Sequence, residues 1–207
     1  MSFLLTLLLF LVLFASMALL YNEGMWSNAV RLVNVVTAGL VAMNFFEPLA
    51  RALEGMNSTF TYFWDFISLW GIFAVTMVVF RYLTGFASRV KVRFLKIADQ
   101  IGSVVFALWV GWVLVAFTLT TFHTAPLARN FMFGGFRPGE KMFLGMAPDQ
   151  QWLGFTQQVS KGSFSRGVVF DPNGRFIANY AERRSGLQKQ AEANGTFRVQ
   201  SGSTPKR

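Results

Sequence analysis

The residues able to do chemistry are few and scattered. His123 is the only histidine and the chain has no cysteine. Disulfides, thiolate metal sites and a cysteine nucleophile are therefore excluded by composition. A Ser-His-Asp set can be written on paper around His123, but no G-x-S-x-G elbow presents a serine. Neither a Walker A loop nor G-x-G-x-x-G occurs, so the usual backbone cradle for nucleotide phosphates is missing. The expectation is a non-enzymatic protein with no catalytic residues, no metal ligands and no cofactor.

What remains is a set of polar residues inside apolar stretches or at their edges: Glu23, Gly24, Arg31, Asn34, Asn44, Asp65 and Asp99. Such groups are costly facing lipid, so each needs a helix, water or an opposite charge beside it. Asn34 and Asn44 are expected to face other helices. Arg31 sits about one turn into its span and pairs with either Glu23 or Asp99. Asp65 follows Tyr62 and Trp64 and reads as a wet interfacial residue, the alternative being a functional intramembrane acid. Asp99 precedes Ser103 by one turn, where a carboxylate caps a helix N-terminus. The alternative for Asp99 is a proton or cation site at the mouth of a pathway.

The elements that must position these residues are long apolar helices. Of 207 residues, 53% are hydrophobic and only 14% charged, against roughly a quarter charged in soluble domains. Ser2–Leu20 contains no Asp, Glu, Lys or Arg. It reads as a retained first span rather than a secretory signal, because no basic residue precedes it. The turn Tyr21–Gly24 follows, and Gly24 tolerates the positive φ that a tight reversal needs. The spans are expected at about 3–21, 28–47, 63–83 and 101–122. A short interfacial helix is expected around Pro48–Leu53, and Tyr62–Trp64 reads as an interfacial aromatic belt. The fold class is thus an all-α membrane protein with four transmembrane helices.

A basic hinge, Thr84–Gln100, joins the third and fourth spans and carries Arg89, Lys91, Arg93 and Lys96 against Asp99 alone. The positive-inside rule makes it cytoplasmic, together with the first turn. The N-terminus, the connector at 47–61 and the tail are then outside. In the fourth span Ser103, Ala107 and Gly111 recur every four residues, and Gly102 broadens the strip. Small residues at that spacing let two helix backbones approach closely in lipid. The strip is expected to be a helix-packing face.

Residues 123–207 carry twelve Lys+Arg and five Asp+Glu. They read as a partly ordered, extramembrane basic tail with a disordered end. Asp149–Val159 is expected to be a short amphipathic helix with Trp152, Phe155 and Val159 on one face. Gly167–Tyr180 is expected to be a strand pair turning at Asp171–Gly174, and Ala181–Ala193 a polar helix. Basic and aromatic residues do not interleave as single-strand binding needs, so no nucleic acid is expected.

Four spans, a Gly turn after the first, a Trp/Phe-rich third span and a basic hinge leading to Asp99 and a small-residue ladder together resemble the CvpA (colicin V production protein) family of bacterial inner-membrane proteins. The resemblance covers about Phe3–Thr121. In that family the ladder is typically built of glycines and the first turn is often Arg-Gly. Here Ser103 and Ala107 replace two glycines, and Glu23 precedes Gly24. The resemblance implies a multi-pass inner-membrane protein connected with toxin production or export and with envelope integrity. The lipid bilayer and either a second copy or an envelope protein are its expected partners. Two rival readings stand: a small-solute transporter or channel subunit lined by Asn34, Asn44, Asp65 and Asp99, and a membrane anchor that presents the basic tail.

Overall fold

The computed structural model describes residues 3–56, 61–87, 95–127, 131–162 and 169–194, and the regular elements among them are all helical. They are α1 (Phe3–Leu20), α2 (Met25–Met56), α3 (Trp64–Ala87), α4 (Lys96–Thr124), α5 (Pro148–Lys161) and α6 (Phe176–Asn194). A short 3-10 turn, Phe131–Gly134, lies between α4 and α5. Four of the helices, α1 to α4, are long and apolar enough to cross a membrane. At about 1.5 Å per residue they span roughly 27, 48, 36 and 44 Å, against a hydrocarbon core of about 30 Å. The chain is a multi-pass membrane protein.

The register is read from side-chain contacts. Asn28 of α2 meets Ser103 of α4, while Trp70 of α3 meets Thr121 of α4 and Asn34 of α2 meets Thr84 of α3. Gly111 of α4 lies against Leu13 of α1. Helices α2 and α4 therefore run parallel, with α1 and α3 antiparallel to them. The α1–α2 turn and the start of α4 share one end, called here the hinge end. The hinge residues Arg89, Lys91 and Arg93 lie outside the described residues.

Helix α4 is the centre of the bundle. Half of its most apolar window is buried, against 17% for α3. Its first half buries one stripe, Ser103, Ala107, Val110 and Gly111. Its second half is buried all round, with every residue from Val115 to Thr121 inside. The outward faces stay apolar, as with Leu7 and Leu11 on α1, Val75 and Val79 on α3, and Leu108 and Trp109 on α4. Such side chains face lipid tails as apolar as themselves, so close packing rather than hydrophobic burial must hold the helices together.

Several expectations are corrected. The separate interfacial helix at Pro48–Leu53 does not exist, because α2 runs unbroken through Pro48 to Met56. Proline removes one ladder bond and frees the Asn44 carbonyl, and both residues sit on the exposed side of the helix. The strand pair is also wrong over its described part, since Phe176–Tyr180 is the first part of α6. The turn chemistry is real but starts a helix. The Asp171 carboxylate accepts from the N–H groups of Arg175 (2.8 Å) and Phe176 (3.0 Å), two donors that a helix start leaves without partners. Gly167 and Val168, and the end expected to be disordered, lie outside the described residues.

The amphipathic helix forms as α5, but with a different face. Its buried side is Asp149, Trp152, Leu153, Thr156 and Ser160, and Phe155 is exposed. Nor is the described part of the tail detached from the bundle. Trp152 lies over Gly39 of α2 and stands edge-on to Phe117 of α4. Gly39 is about 21 Å along α2 from its first residue, so the indole reaches deep between the spans. Phe143 packs on Phe10 of α1 and Trp112 of α4, closing the far side of α4.

Candidate functional site

The polar residues gather in two centres at opposite ends of the bundle. At the hinge end, Gly24 closes the α1–α2 turn with φ +81°, a backbone that only glycine adopts without strain. A Cβ there would lie 3.4 Å from Asp99 Oδ2. The next amide, Met25 N–H, donates to Asp99 Oδ1 at 2.9 Å. Asp99 is therefore a cap, as its chemistry suggests, but of α2 rather than of its own helix. A carboxylate from α4 satisfies a donor at the positive end of α2.

One turn further in, Asn28 is completely buried. Its Nδ2 donates to Leu20 O and to Ser103 Oγ, both at 2.9 Å, with Ser103 O at 3.1 Å. The Ser103 hydroxyl donates in turn to Tyr21 O at 3.3 Å. The end of α1, the start of α2 and the first turns of α4 are thus tied by one amide and one hydroxyl. Arg31 pairs with Glu23 at 2.6 Å, the first of its two expected partners.

The small-residue strip continues from this node. Ser103 and Ala107 are buried. A Cβ on Gly111 would meet Leu13 O at 3.1 Å and Leu13 Cδ1 at 2.8 Å. Gly102 faces the start of α2, where a Cβ would overlap Met25 Sδ. The strip thus meets α1 at Gly111 and α2 at Gly102.

The remaining two polar span residues separate. Asn34 is buried and donates to Thr84 Oγ1 of α3 at 3.0 Å. Asn44 does not face another helix. It is exposed and donates to Leu40 O, one turn back on α2, at 2.9 Å. That bond satisfies one amide proton within the helix, which lowers the cost of an outward position.

At the opposite end, Asp65 is not a wet residue. It is 1% exposed, and α6 covers it. The Arg183 guanidinium forms an ion pair with its Oδ2, and the Tyr180 hydroxyl donates to the same oxygen at 3.3 Å. Arg183 also lies over the Tyr62 ring, 5.4 Å from the centroid. Beside it, His123 Nε2 and Asp149 Oδ2 share a hydrogen bond at 2.9 Å between side chains with no exposure. Arg184 donates to His123 O at 2.9 Å and sits 4.9 Å from the Phe136 centroid. Burial pushes the Arg184 guanidinium below its ordinary pKa. Around His123 the hydroxyls of Thr120, Thr121 and Thr124 donate to carbonyls of their own helix. Among the described residues no group of three His, Cys, Asp or Glu side chains gathers to hold a metal.

Sequence reasoning missed Asn28, Tyr180, Arg183, Arg184 and the His123–Asp149 pair. Asn28 had a signal, since Asn28, Arg31 and Asn34 recur every three residues and mark one polar stripe on α2. The cluster Thr118, Thr120, Thr121, His123 and Thr124 ends an otherwise apolar span. Polar groups at that density predict a helix end covered by protein.

The fold and these two centres define a class: a four-span helical membrane protein whose buried Asn28, Asn34 and Ser103 bond to neighbouring helices. The chain belongs to the colicin V production protein family, whose model matches residues 5–134, 130 of the 207 residues. No curated protein and no solved structure matches the chain significantly.

Proposed function

We propose that this chain is a non-enzymatic inner-membrane component of toxin production or export and of envelope integrity, working through helix contacts with a second copy or an envelope partner. One observation carries the reading. Asp99, Asn28 and Ser103 each bond across helix boundaries, so these three polar residues of the matched region act as bundle locks. Membership of the family supports the physiological role.

The rival readings fit the geometry less well. Asn44 faces outward and the Asp65 carboxylate is covered by α6, which argues against a path lined by all four residues. For the anchor reading, α5 packs into the bundle and α6 pairs with Asp65, so the described part of the tail is held against the spans.

The test is complementation in a colicin V producer that lacks its own family member. The wild-type chain should reach the inner membrane and restore secreted toxin and detergent resistance. Asp99→Ala, matched for membrane abundance, should restore less of both. A wild-type chain present in the membrane that restores neither overturns the reading.

A further inference from the structure

A cleft at the hinge end lies beside the Asp99 and Asn28 contacts and is lined in part by the Glu23–Arg31 and Asn34–Thr84 pairs. It has a volume of about 660 Å³ and is walled by α1, α2 and α3, with α4 at its inner end. That volume is in the range of ligand pockets, roughly 300–1,000 Å³. Away from the hinge end its wall is apolar, from Val35, Phe73, Met77, Val110 and Leu114. Its mouth is polar, from Glu23, Arg31, Arg81 and Thr84. Leu19 and Trp26 on its rim are both exposed.

We infer that this cleft binds one anionic phospholipid from the hinge-side leaflet. Three observations converge. The first is length: Arg81 and Phe73 both line the cleft, and eight residues of α3 separate them, about 12 Å of helix. That is close to the hydrocarbon depth of one leaflet, about 15 Å. The second is charge: the ionic residues lining the cleft are two arginines and one glutamate. Glu23 is paired with Arg31. Arg81 has no ion pair among the described residues and sits at the same mouth. The mouth therefore has an excess of one positive charge, matched to a phosphate diester. The third is position: the arginines stand at the span end, where headgroups lie, and the apolar wall runs inward from them. A guanidinium presents a fork of donors suited to phosphate oxygens. An acyl chain along Phe73, Met77 and Leu114 fills a space that water would occupy at high cost.

The inference is independent of the proposed physiological role. Its test uses the full chain in nanodiscs of phosphatidylcholine doped with phosphatidylglycerol, with retained lipid counted by native mass spectrometry. The wild type should retain one phosphatidylglycerol in preference to phosphatidylcholine. Arg81→Ala should weaken that preference by about tenfold, the loss of one charge-assisted contact, and Arg81→Lys should restore part of it. Arg51→Ala, a basic residue at the other end of α2, should change nothing. Met77→Trp, which fills the apolar wall and keeps both arginines, should expel the lipid and guards against misfolding of the Arg81 variant. Millimolar glycerol phosphate should not compete if the acyl chains contribute. Equal retention of both lipids, or an unchanged preference in both Arg81→Ala and Met77→Trp, overturns the inference. So does efficient crosslinking between copies carrying single cysteines at Leu19 and Gly85, which would make a second chain the occupant.

Discussion

Asp99 shows how one residue type can be legible while its partner is not. A carboxylate at the start of an apolar span is a good cap by chemistry, and the chain uses it so, across to Met25 N–H. The cap geometry sets a prediction. Asp99→Ala should destabilise the bundle by about 0.5–2 kcal/mol, whereas Asp99→Asn keeps an acceptor oxygen and should cost far less. Denaturation of both variants in detergent micelles measures the difference, and equal losses would show that charge rather than capping matters. Asn28 is a second case. Asn28→Ala removes the amide shared by Leu20 O and Ser103, leaving Leu20 O only the Glu23 N–H, and should cost about 1–2 kcal/mol. The same unfolding assay reads it, and a double mutant with Ser103→Ala should lose less than the two single losses together.

At the scale of elements, the tail helices decide how the bundle closes. Helix α5 reaches α2 because Gly39 offers no side chain where Trp152 lies; a Cβ would come within 2.5 Å of the indole. Gly39→Val should therefore cost about 1–3 kcal/mol by overpacking, and adding Trp152→Ala should relieve the clash. If the double variant is less stable than the simple sum of its parts, the contact has been misread. Helix α6 depends on the Asp65–Arg183 pair, with Asp65 1% exposed. Removing Arg183 leaves the buried Asp65 carboxylate without its cation but with the Tyr180 hydroxyl still donating to it, so the loss should fall below the roughly 3–5 kcal/mol of breaking a fully buried pair. Arg183→Ala should accordingly open α6 to limited proteolysis, and Asp65→Asn in the same chain should restore part of the protection. An α6 equally resistant in wild type and Arg183→Ala would dismiss the clamp.

For the whole molecule, the four-span topology makes a direct prediction that the absence of cysteine renders clean. Met56 and Leu95 are highly exposed, 83% and 84%, and they lie at opposite ends of the bundle. Single cysteines placed there should react with an impermeant maleimide from opposite sides of the membrane. Labelling of both from one side would remove a span. Residue types and their spacing are enough to establish the class, the number of apolar helices, the Gly24 turn and the small strip at Ser103, Ala107 and Gly111. These follow from local rules: span length, charge exclusion from lipid and the conformational freedom of glycine. Folding in three dimensions is what makes Asp99 cap a neighbouring helix, Arg183 seal Asp65 and Trp152 enter the bundle. Each of those joins residues far apart in the chain, and hydropathy carries no record of which polar group meets which. A polar residue announces in sequence that it needs a partner. The partner's identity comes from the packing that brings two distant segments together.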